Sequence, residues 1–338
     1  MRVAINGFGR IGRSVFRVIT QRNSAIEIAA LNDLATEEME AYLLKYDTVM
    51  GEFPGPVEVV DSHLLAGGQR VKLLTEKDPG ALPWAELGID VVIEATGVFR
   101  DRAKVSKHLE AGAGRVILTV PSKDALDATI VLGVNDADLE PGMRLLSNAS
   151  CTTNCLAPVA KVLDESFGIV RGVMTTVHAY TNDQRLADVP HKDFRRSRAA
   201  TENIIPTSTG AAKAVAEVLP QLKGKLDGMA MRVPVPDGST VDLVVEVSRP
   251  TTVDEVNGAI RQAAAGPMAR IIEYSEAPLV SSDVIGNPHS AIFDAASTRV
   301  LAGNTVKVLA WYDNEWGYSN RVVDLIELLG ALAPPRRA

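Results

Sequence analysis

Cys151 is the residue whose surroundings best suit nucleophilic chemistry. It lies in the segment SNASCTTNC (residues 147–155), where Ser150 has the type and position of a helix N-cap. A thiol at a helix start faces the positive end of the helix dipole, which lowers a cysteine pKa and favours the thiolate that attacks carbonyl carbon. A lone cysteine is more often a core residue, but three hydroxyl residues, Ser150, Thr152 and Thr153, flank this one. Cys151 is therefore our candidate nucleophile.

A glycine-rich turn near the start of the chain predicts a second kind of chemistry. Gly7, Gly9 and Gly12 form the pattern G-x-G-x-x-G between a strand pattern at residues 2–6 and a helical pattern at residues 13–21. In this strand-turn-helix context the pattern is typical of dinucleotide binding, because a pyrophosphate can meet the free N–H groups of the helix start. The alternative is a tight turn whose glycines only let the helix and strand pack closely.

Asp33 supports the nucleotide interpretation. It ends the predicted strand at residues 26–32, about twenty residues after the last glycine, where a carboxylate typically meets the adenosine ribose. Asp33 could instead be a plain helix N-cap. The strand, the turn, the helix and the carboxylate together favour a nucleotide site.

The composition limits what else the protein does. The chain has 338 residues, with 46% hydrophobic and 23% charged side chains, which suggests two domains. A net charge of -7 argues against nucleic-acid binding as the primary role. We find no apolar run long enough for a membrane helix and no signal-peptide pattern, so we expect a cytoplasmic protein without membrane contact. The only cysteines, Cys151 and Cys155, suit neither a disulfide framework nor a metal site.

The first half of the sequence predicts an α/β domain with a Rossmann-type, doubly wound parallel sheet over residues 1–150. Thr96 follows a buried strand pattern, at the edge where nucleotides lie in such sheets. The further predicted helices cover residues 37–45 and 103–111, and the further predicted strands lie within residues 57–74 and at residues 90–95, 115–120 and 129–134.

The second half predicts an α+β domain over residues 151–316 with a largely antiparallel sheet. One predicted strand ends in His178, and the charged segment of residues 180–203 has no regular period, which is typical of a functional or interface loop. A final helix at residues 317–334 is expected to pack back on the first domain. The predicted helices are residues 152–167, 211–219 and 253–265, and the predicted strands are residues 172–178, 230–235, 240–247, 290–294, 298–301 and 306–311.

Five segments in order resemble phosphorylating glyceraldehyde-3-phosphate dehydrogenase, and the resemblance covers the chain almost from end to end. The segments are NGFGRIGR (residues 6–13), SNASCTTNC (147–155), HAYTNDQ (178–184), IIPTSTGAAK (204–213) and WYDNE (311–315). The resemblance implies a homotetramer that oxidises D-glyceraldehyde 3-phosphate to 1,3-bisphosphoglycerate in glycolysis or catalyses the reverse reaction. It also implies a cysteine thioester intermediate and a nicotinamide cofactor in the first domain.

The resemblance also implies residue roles. Cys151 is the nucleophile, and His178 is the base that pairs with the thiolate and then takes the hemithioacetal proton. Thr181 and Arg232 bind the substrate phosphate. The residues that bind the attacking phosphate are Ser150, Thr152, Arg196, Thr209 and Gly210. The cofactor positions are Asn6, Gly7, Gly9, Arg10, Ile11, Gly12, Asp33, Thr96, Thr119 and Asn314, the last orienting the carboxamide. The Asp33 carboxylate repels a 2′-phosphate, and Leu34 and Pro190 resemble the NAD-preferring pattern, so NAD is favoured over NADP.

Two other functions stay open on the sequence. The related erythrose-4-phosphate dehydrogenase shares the cysteine motif, and a catalytically silent nucleotide-binding protein could keep the fold. The silent alternative is disfavoured because Cys151 and His178 are both present. Which arginine of residues 195–198 faces a phosphate is also open, and this cluster could be a solvated basic face.

Overall fold

The computed structural model describes residues 1–332, and the chain divides into two compact units. Unit 1 contains Met1–Ile130, Ala137–Ala149 and the described chain from Ser319 onward. Unit 2 contains Val131–Asp136 and Ser150–Tyr318. Residues 131–136, predicted in the first domain, group with unit 2, where Lys161 Nζ donates to two of their carbonyl oxygens at 3.0 Å each.

Unit 1 is built on a mostly parallel sheet of nine strands among the described residues. In chain order the strands are β1 (Arg2–Asn6), β2 (Glu27–Asn32), β3 (Val57–Val60), β4 (His63–Ala66), β5 (Gln69–Leu74), β6 (Val91–Glu94), β7 (Arg115–Leu118), β8 (Ala128–Thr129) and β9 (Leu145–Ser147). Their order across the sheet is β3-β4-β5-β2-β1-β6-β7-β9-β8. The helices of this unit are α1 (Arg10–Gln21), α2 (Glu37–Lys45), α3 (Trp84–Leu87) and α4 (Arg102–Glu110).

The central strands of unit 1 explain where its site lies. All four residues of β6 and of β7 are buried, as expected for parallel strands covered on both faces. Strands β2, β1, β6 and β7 pair in parallel, so their carboxyl ends share one edge of the sheet. The predicted α/β class with a Rossmann-type sheet is confirmed, and this edge is where such sheets bind nucleotides.

Unit 2 is built on a second, mostly antiparallel sheet. Its strands are β10 (Ile169–Ala179), β11 (Ile205–Ser208), β12 (Leu226–Val233), β13 (Ser239–Val247), β14 (Ile272–Ser275), β15 (Ala291–Leu301) and β16 (Thr305–Tyr312), in the order β11-β12-β10-β13-β16-β15-β14. Its helices are α5 (Cys151–Phe167), α6 (Ala211–Val218) and α7 (Val253–Ala265). The predicted helix at residues 253–265 is confirmed, and a capping box of Thr252 and Glu255 fixes its start.

Several predicted elements differ from the structure. Helix α1 begins at Arg10, inside the glycine pattern and earlier than predicted. The strand predicted at residues 129–134 shrinks to β8, because the chain turns where Val134 N–H donates to the Val131 carbonyl. The two strands predicted at residues 290–294 and 298–301 are one strand, β15, with a register shift between Asp294 and Arg299. Strands β9, β11 and β14 were not predicted, since three or four residues are too few to show a period.

The last described helix, α8, spans Trp316–Ala331, and residues 333 and 334 of the predicted helix lie outside the described residues. In the part of α8 that belongs to unit 1, Asp324 accepts a hydrogen bond from Arg22 Nη1 at 2.6 Å, and Glu327 accepts one from Ser24 Oγ at 2.9 Å. Across residues 1–332, no helix has the length and apolar character needed to cross a membrane.

Candidate active site

Unit 1 has a cleft of about 490 Å³ at the carboxyl edge of its sheet. Five of the predicted cofactor residues line this cleft, namely Asn6, Gly7, Gly9, Asp33 and Thr96. Arg10, Ile11 and Gly12 form the first turn of α1, and Arg10 also pairs with the Asp47 carboxylate. Thr119 is buried directly after β7.

The three glycines of the turn meet different surroundings. Gly7 has φ +95°, and a Cβ there would lie 2.6 Å from Thr96 N. A Cβ on Gly12 would lie 2.2 Å from the Gly7 carbonyl oxygen, so this position requires close approach of the helix to the turn. Gly9 faces open space and precedes the first turn of α1, which leaves room for a phosphate at the helix N-terminus. The turn therefore fits a dinucleotide.

Asp33 is fixed at the edge of the cleft. Its two carboxylate oxygens accept hydrogen bonds from Phe8 N and Leu34 N, both at 2.6 Å. The N-cap of α2 is Thr36, so the alternative of Asp33 as that cap is wrong. The carboxylate is partly exposed and keeps lone pairs for a ribose hydroxyl, and its charge disfavours a 2′-phosphate.

Three predicted cofactor residues converge on Glu94, which the sequence analysis did not single out. Asn6 Nδ2 donates to Glu94 Oε2 at 2.6 Å, and the Thr96 hydroxyl donates to Glu94 Oε1. Thr119 Oγ1 donates to the Glu94 carbonyl oxygen at 3.1 Å. The missed signal is a carboxylate that ends an otherwise apolar strand, directly before Ala95 and Thr96.

In unit 2, Cys151 is the first residue of α5. Ser150 is the N-cap, and its side-chain oxygen accepts from Thr153 N at 3.1 Å, which confirms the predicted cap. Cys151 Sγ lies 3.5 Å from His178 Nε2, and His178 is the next-to-last residue of strand β10. The structure thus brings together two predicted catalytic residues that are 27 positions apart in the sequence.

The predicted lowering of the Cys151 pKa is wrong in this structure. Burial raises the pKa of the Cys151 thiol to about 11, although the Arg232 guanidinium and the Thr152 N–H act in the opposite direction. Burial and the charge of Arg232 lower the pKa of His178 to about 3. Both shifts favour the neutral thiol and the neutral imidazole over the predicted ion pair. The physical reason is that the protein packed around both groups disfavours their charged forms, although part of Cys151 stays exposed.

The hydrogen bonds of His178 define its tautomer. Nδ1 lies 2.7 Å from the Ala179 carbonyl oxygen, closer than the 3.1 Å to the Arg232 donor, so we assign the proton to Nδ1 and the lone pair that faces the thiol to Nε2. Arg232 Nη1 lies 3.1 Å from His178 Nδ1 and donates to the same carbonyl at 3.0 Å. A neutral imidazole in this orientation can accept the thiol proton.

Cys155 lies one helical turn after Cys151 but has no exposed surface. Its thiol donates to the Ala310 carbonyl oxygen at 3.7 Å. Burial raises the pKa of Cys155 well above its ordinary value. Cys155 is therefore a packed core residue, in contrast to the partly exposed Cys151.

Two guanidinium groups connect to the Asp183 carboxylate, Arg196 directly and Arg232 through Thr181. Arg232 Nη1 donates to Thr181 Oγ1 at 3.1 Å, and the Thr181 hydroxyl in turn donates to Asp183. Arg196 pairs with Asp183 and donates from Nε to Thr207 Oγ1 at 2.9 Å. Burial opposes the shift, but Thr181, Arg232 and Arg196 hold the pKa of Asp183 below its ordinary value.

The structure separates the arginines that the sequence left ambiguous. The Arg196 side chain is mostly buried against Thr207, whereas Arg195 is exposed. Arg198 is exposed and pairs with Asp188. Arg232 Nε is buried and has no hydrogen-bond partner within residues 1–332. Among residues 195–198, Arg196 is thus the arginine whose guanidinium is mostly buried and bound to Asp183 and Thr207.

The remaining predicted phosphate residues have mixed surroundings. Thr152 Oγ1 lies 2.8 Å from the Tyr312 hydroxyl oxygen, and Thr152 is buried. Thr209 and Gly210 lie at the start of α6, where Thr209 Oγ1 accepts from Ala211 N at 3.2 Å. Among the described residues, no hydrogen bond joins Thr209 or Gly210 to Cys151.

Asn314 is held in unit 2 by Ser239. The Ser239 hydroxyl accepts from Ala179 N at 3.0 Å and donates to Asn314 Oδ1 at 2.6 Å. The amide therefore keeps its Nδ2 hydrogens as donors for a carbonyl acceptor such as a carboxamide. Within residues 1–332, no cluster of three or more His, Cys, Asp or Glu side chains is arranged to hold a metal ion.

The Rossmann-type sheet, the glycine turn at the N-terminus of α1 and the Asp33 carboxylate define the class of dinucleotide-binding domain that NAD-dependent dehydrogenases contain. Comparison with known proteins agrees with this class. Residues 1–102 match the family model described as glyceraldehyde 3-phosphate dehydrogenase, NAD binding domain, and residues 150–314 match that of the C-terminal domain.

Curated relatives carry the same name. A glyceraldehyde-3-phosphate dehydrogenase of Streptomyces coelicolor is 57% identical over 332 residues, and glyceraldehyde-3-phosphate dehydrogenase 2 of Streptomyces avermitilis is 56% identical over 331 residues. The enzyme of that name from Mycolicibacterium smegmatis is 53% identical over 337 residues. Each comparison covers 98% of both chains. The chain belongs to the glyceraldehyde-3-phosphate dehydrogenase family, and its cofactor is NAD.

Proposed function

We propose that this dehydrogenase converts D-glyceraldehyde 3-phosphate to 1,3-bisphosphoglycerate through a thioester on Cys151, with His178 as the base. The observation that carries the assignment is the 3.5 Å separation of Cys151 Sγ from the unprotonated Nε2 of His178. Cys155 has no such partner and no exposed surface, so it takes no part in the reaction.

The reaction begins with the neutral pair. As Cys151 Sγ bonds to the aldehyde carbon, its proton passes to His178 Nε2, and the imidazolium then protonates the new alkoxide. The product is a hemithioacetal beside a neutral imidazole. Proton transfer during attack removes the need for a preformed thiolate, which agrees with the raised pKa of the thiol.

Oxidation then converts the hemithioacetal into a thioester. Bound NAD supplies the acceptor for the hydride that leaves the former aldehyde carbon. His178 Nε2 takes the hydroxyl proton as the hydride departs, so that the carbonyl of the thioester forms. Within unit 1, the glycine turn, Arg10, Ile11, Asp33 and Thr96 would hold the cofactor. The Asn314 amide, described within unit 2, keeps the donors that a carboxamide would need.

The guanidinium groups of Arg232 and Arg196 in unit 2 bind the two phosphates. Arg232 with Thr181 binds the phosphate of the substrate. Arg196 binds the attacking phosphate together with Ser150, Thr152, Thr209 and Gly210. Arginine forks suit tetrahedral oxyanions because they donate two parallel hydrogen bonds. Phosphate oxygen attacks the thioester carbon, the Cys151 sulfur leaves, and His178 returns a proton to the sulfur.

The test is to measure NADH formation from glyceraldehyde 3-phosphate with and without inorganic phosphate, and to identify the acylated residue by mass spectrometry. We expect phosphate to accelerate steady-state turnover, and the acyl group to accumulate on Cys151 when phosphate is omitted. Turnover that ignored phosphate and ran faster with erythrose 4-phosphate would support the related erythrose-4-phosphate dehydrogenase instead. Acylation of Cys155 would overturn the assignment of the nucleophile.

We further propose a homotetramer in the cytoplasm. The resemblance implies this assembly, and the segment of residues 180–203 exposes Leu186 by 80% and Phe194 by 89%, as expected for side chains that another subunit covers. The two free cysteines suit a reducing compartment. Sedimentation equilibrium tests the assembly: a monomer at micromolar concentration would overturn it, and charged substitutions at Leu186 and Phe194 should weaken the tetramer.

A further inference from the structure

A buried carboxylate, Glu94, lies behind the cofactor cleft. Its side chain has no exposed surface, yet four hydrogen bonds reach its two oxygens. Oε1 accepts from Thr96 N at 2.9 Å and from the Thr96 hydroxyl, and Oε2 accepts from Asn6 Nδ2 at 2.6 Å and from His108 Nε2 at 3.0 Å. Burial of a carboxylate is costly unless hydrogen bonds replace its water, and these four donors do so.

His108 and Trp84 determine the direction of these hydrogen bonds. The Trp84 indole N–H donates to His108 Nδ1 at 2.9 Å, and an indole nitrogen can only donate. Nδ1 is therefore the acceptor nitrogen, and Nε2 carries the proton that points at Glu94. Trp84 and His108 have no exposed surface, so no water competes with this arrangement. The direction of each hydrogen bond from Trp84 to Glu94 is thus defined.

Other residues around the cleft also donate hydrogen bonds to Glu94. Asn6 donates to Glu94, and its Oδ1 accepts from Asn32 Nδ2 at 2.7 Å. Both the backbone N–H and the hydroxyl of Thr119 donate to the Glu94 carbonyl oxygen at 3.1 Å. Asn6 is only 1% exposed, so its side chain acts by fixing the chain before Gly7.

We propose that Glu94, oriented by His108 and Trp84, is the positioning residue of the cofactor cleft. It binds Asn6, which directly precedes the glycine turn, and Thr96, which follows β6. These two segments approach each other closely where Gly7 packs against Thr96 N. Glu94 itself contacts no cofactor because it is fully buried. The inference rests on the proposed cofactor cleft and adds the source of its rigidity.

Glu94→Gln is the central variant, because an amide places a donor where the carboxylate accepts from neighbouring donors. We expect the NAD dissociation constant and the NAD KM to rise about tenfold, the scale of one lost hydrogen bond to a charged group. The kcat at saturating NAD should stay near that of the unmodified enzyme, since the thiol and imidazole are untouched. Calorimetry and steady-state kinetics on the full chain provide these values.

Variants of His108 separate positioning from mere core packing. His108→Gln keeps a donor near the Nε2 position and should largely retain NAD affinity, whereas His108→Leu lacks the donor and should resemble Glu94→Gln. Val105→Ala removes buried volume from the same helix, α4, and is the matched control: it should lower the melting temperature without changing the NAD KM. Trp84→Phe removes only the indole donor and should give a smaller increase in KM.

The outcomes distinguish this inference from the cofactor cleft itself. Asp33→Ala should weaken NAD binding if the cleft is correctly assigned, and normal binding by that variant would overturn the cleft. If Asp33→Ala weakens NAD binding but Glu94→Gln and His108→Leu change only the melting temperature, Glu94 is structural and the inference is wrong. Should Glu94→Gln fail to fold, the comparison of His108→Gln with His108→Leu still decides.

Discussion

The cofactor cleft of unit 1 and the thiol site of unit 2 hold their polar groups in opposite ways. In the cleft, the buried carboxylate of Glu94 is surrounded by uncharged donors. At the thiol site, Arg196 pairs with Asp183, and Arg232 reaches the same carboxylate through Thr181. In the cleft, hydrogen bonds from the protein satisfy the Glu94 carboxylate. At the thiol site, the guanidinium of Arg196 pairs with a carboxylate, an anion like the phosphates of the proposed substrates.

This difference indicates how each site responds to its ligand. A network of uncharged donors can keep its geometry when a cofactor enters, so the cleft is preorganised. At the thiol site, a phosphate bound by Arg196 as proposed would compete with the Asp183 carboxylate for that guanidinium. Substitutions in the cleft should therefore change NAD affinity, whereas substitutions at the thiol site should change chemistry or phosphate use.

Replacement of the thiol should have the largest effect. Cys151→Ala should lower kcat by at least about 10⁴-fold, because no thioester can form. NAD affinity should be unchanged, since the cleft of unit 1 does not depend on the thiol. The measurements are NADH formation and calorimetric NAD titration, with Cys155→Ala as the control that retains most activity. Substantial turnover by Cys151→Ala would remove the basis for a covalent mechanism.

Removal of the imidazole should have the next largest effect. His178→Asn should lower kcat by roughly 10²- to 10⁴-fold, the usual contribution of a general base, with little change in NAD affinity.

In the unmodified enzyme, iodoacetamide should alkylate Cys151 faster as the pH rises through 7 to 10, without a plateau, because burial raises the thiol pKa to about 11. A plateau near neutral pH would instead indicate a preformed thiolate and restore the ion pair.

The arginines of residues 195–198 offer a smaller, matched test. Arg196→Ala should raise the phosphate KM about tenfold, the scale of one charge-assisted hydrogen bond, and should raise the aldehyde KM less. Arg195→Ala should leave both values near those of the unmodified enzyme, because Arg195 is exposed. Equal effects of the two substitutions would show that only the overall positive charge matters, and would weaken the contrast between the two sites.

The smallest effect concerns stability in mild acid. Burial and Arg232 lower the pKa of His178 to about 3 from its ordinary value of 6.5. Above pH 6.5 both folded and unfolded chains hold a neutral ring, but below it only the unfolded chain takes up the proton, so stability falls as the pH falls towards 3. Between pH 7 and 6 the loss should be about 0.7 kcal/mol.

Urea unfolding at the two pH values measures this loss, and His178→Asn should reduce it by that amount. The difference in this loss between the unmodified enzyme and the variant carries the result. Equal losses in both proteins would indicate that the folded His178 takes up a proton as readily as the unfolded one.

The sequence predicts those features that lie in contiguous residues. The Ser150 cap, the glycine turn and the helix at residues 253–265 depend on neighbours within a few positions, and local rules describe them. The Glu94 centre depends on Asn6, which is 88 positions away, so no local pattern shows it. The Cys151 pKa was predicted with the wrong sign because the helix dipole is local information, whereas burial belongs to the folded unit.

The glycine turn has a consequence for mutational tolerance. Backbone lies within 3 Å of the Cβ positions of Gly7 and Gly12, whereas Gly9 faces open space in a conformation open to any residue. A library selected only for folded protein should therefore retain Gly7 and Gly12 and accept alanine at Gly9. Selection for NAD turnover should retain all three glycines. The frequency of alanine at Gly9 in such a library thus reports whether the selection acted on folding alone or also on cofactor use.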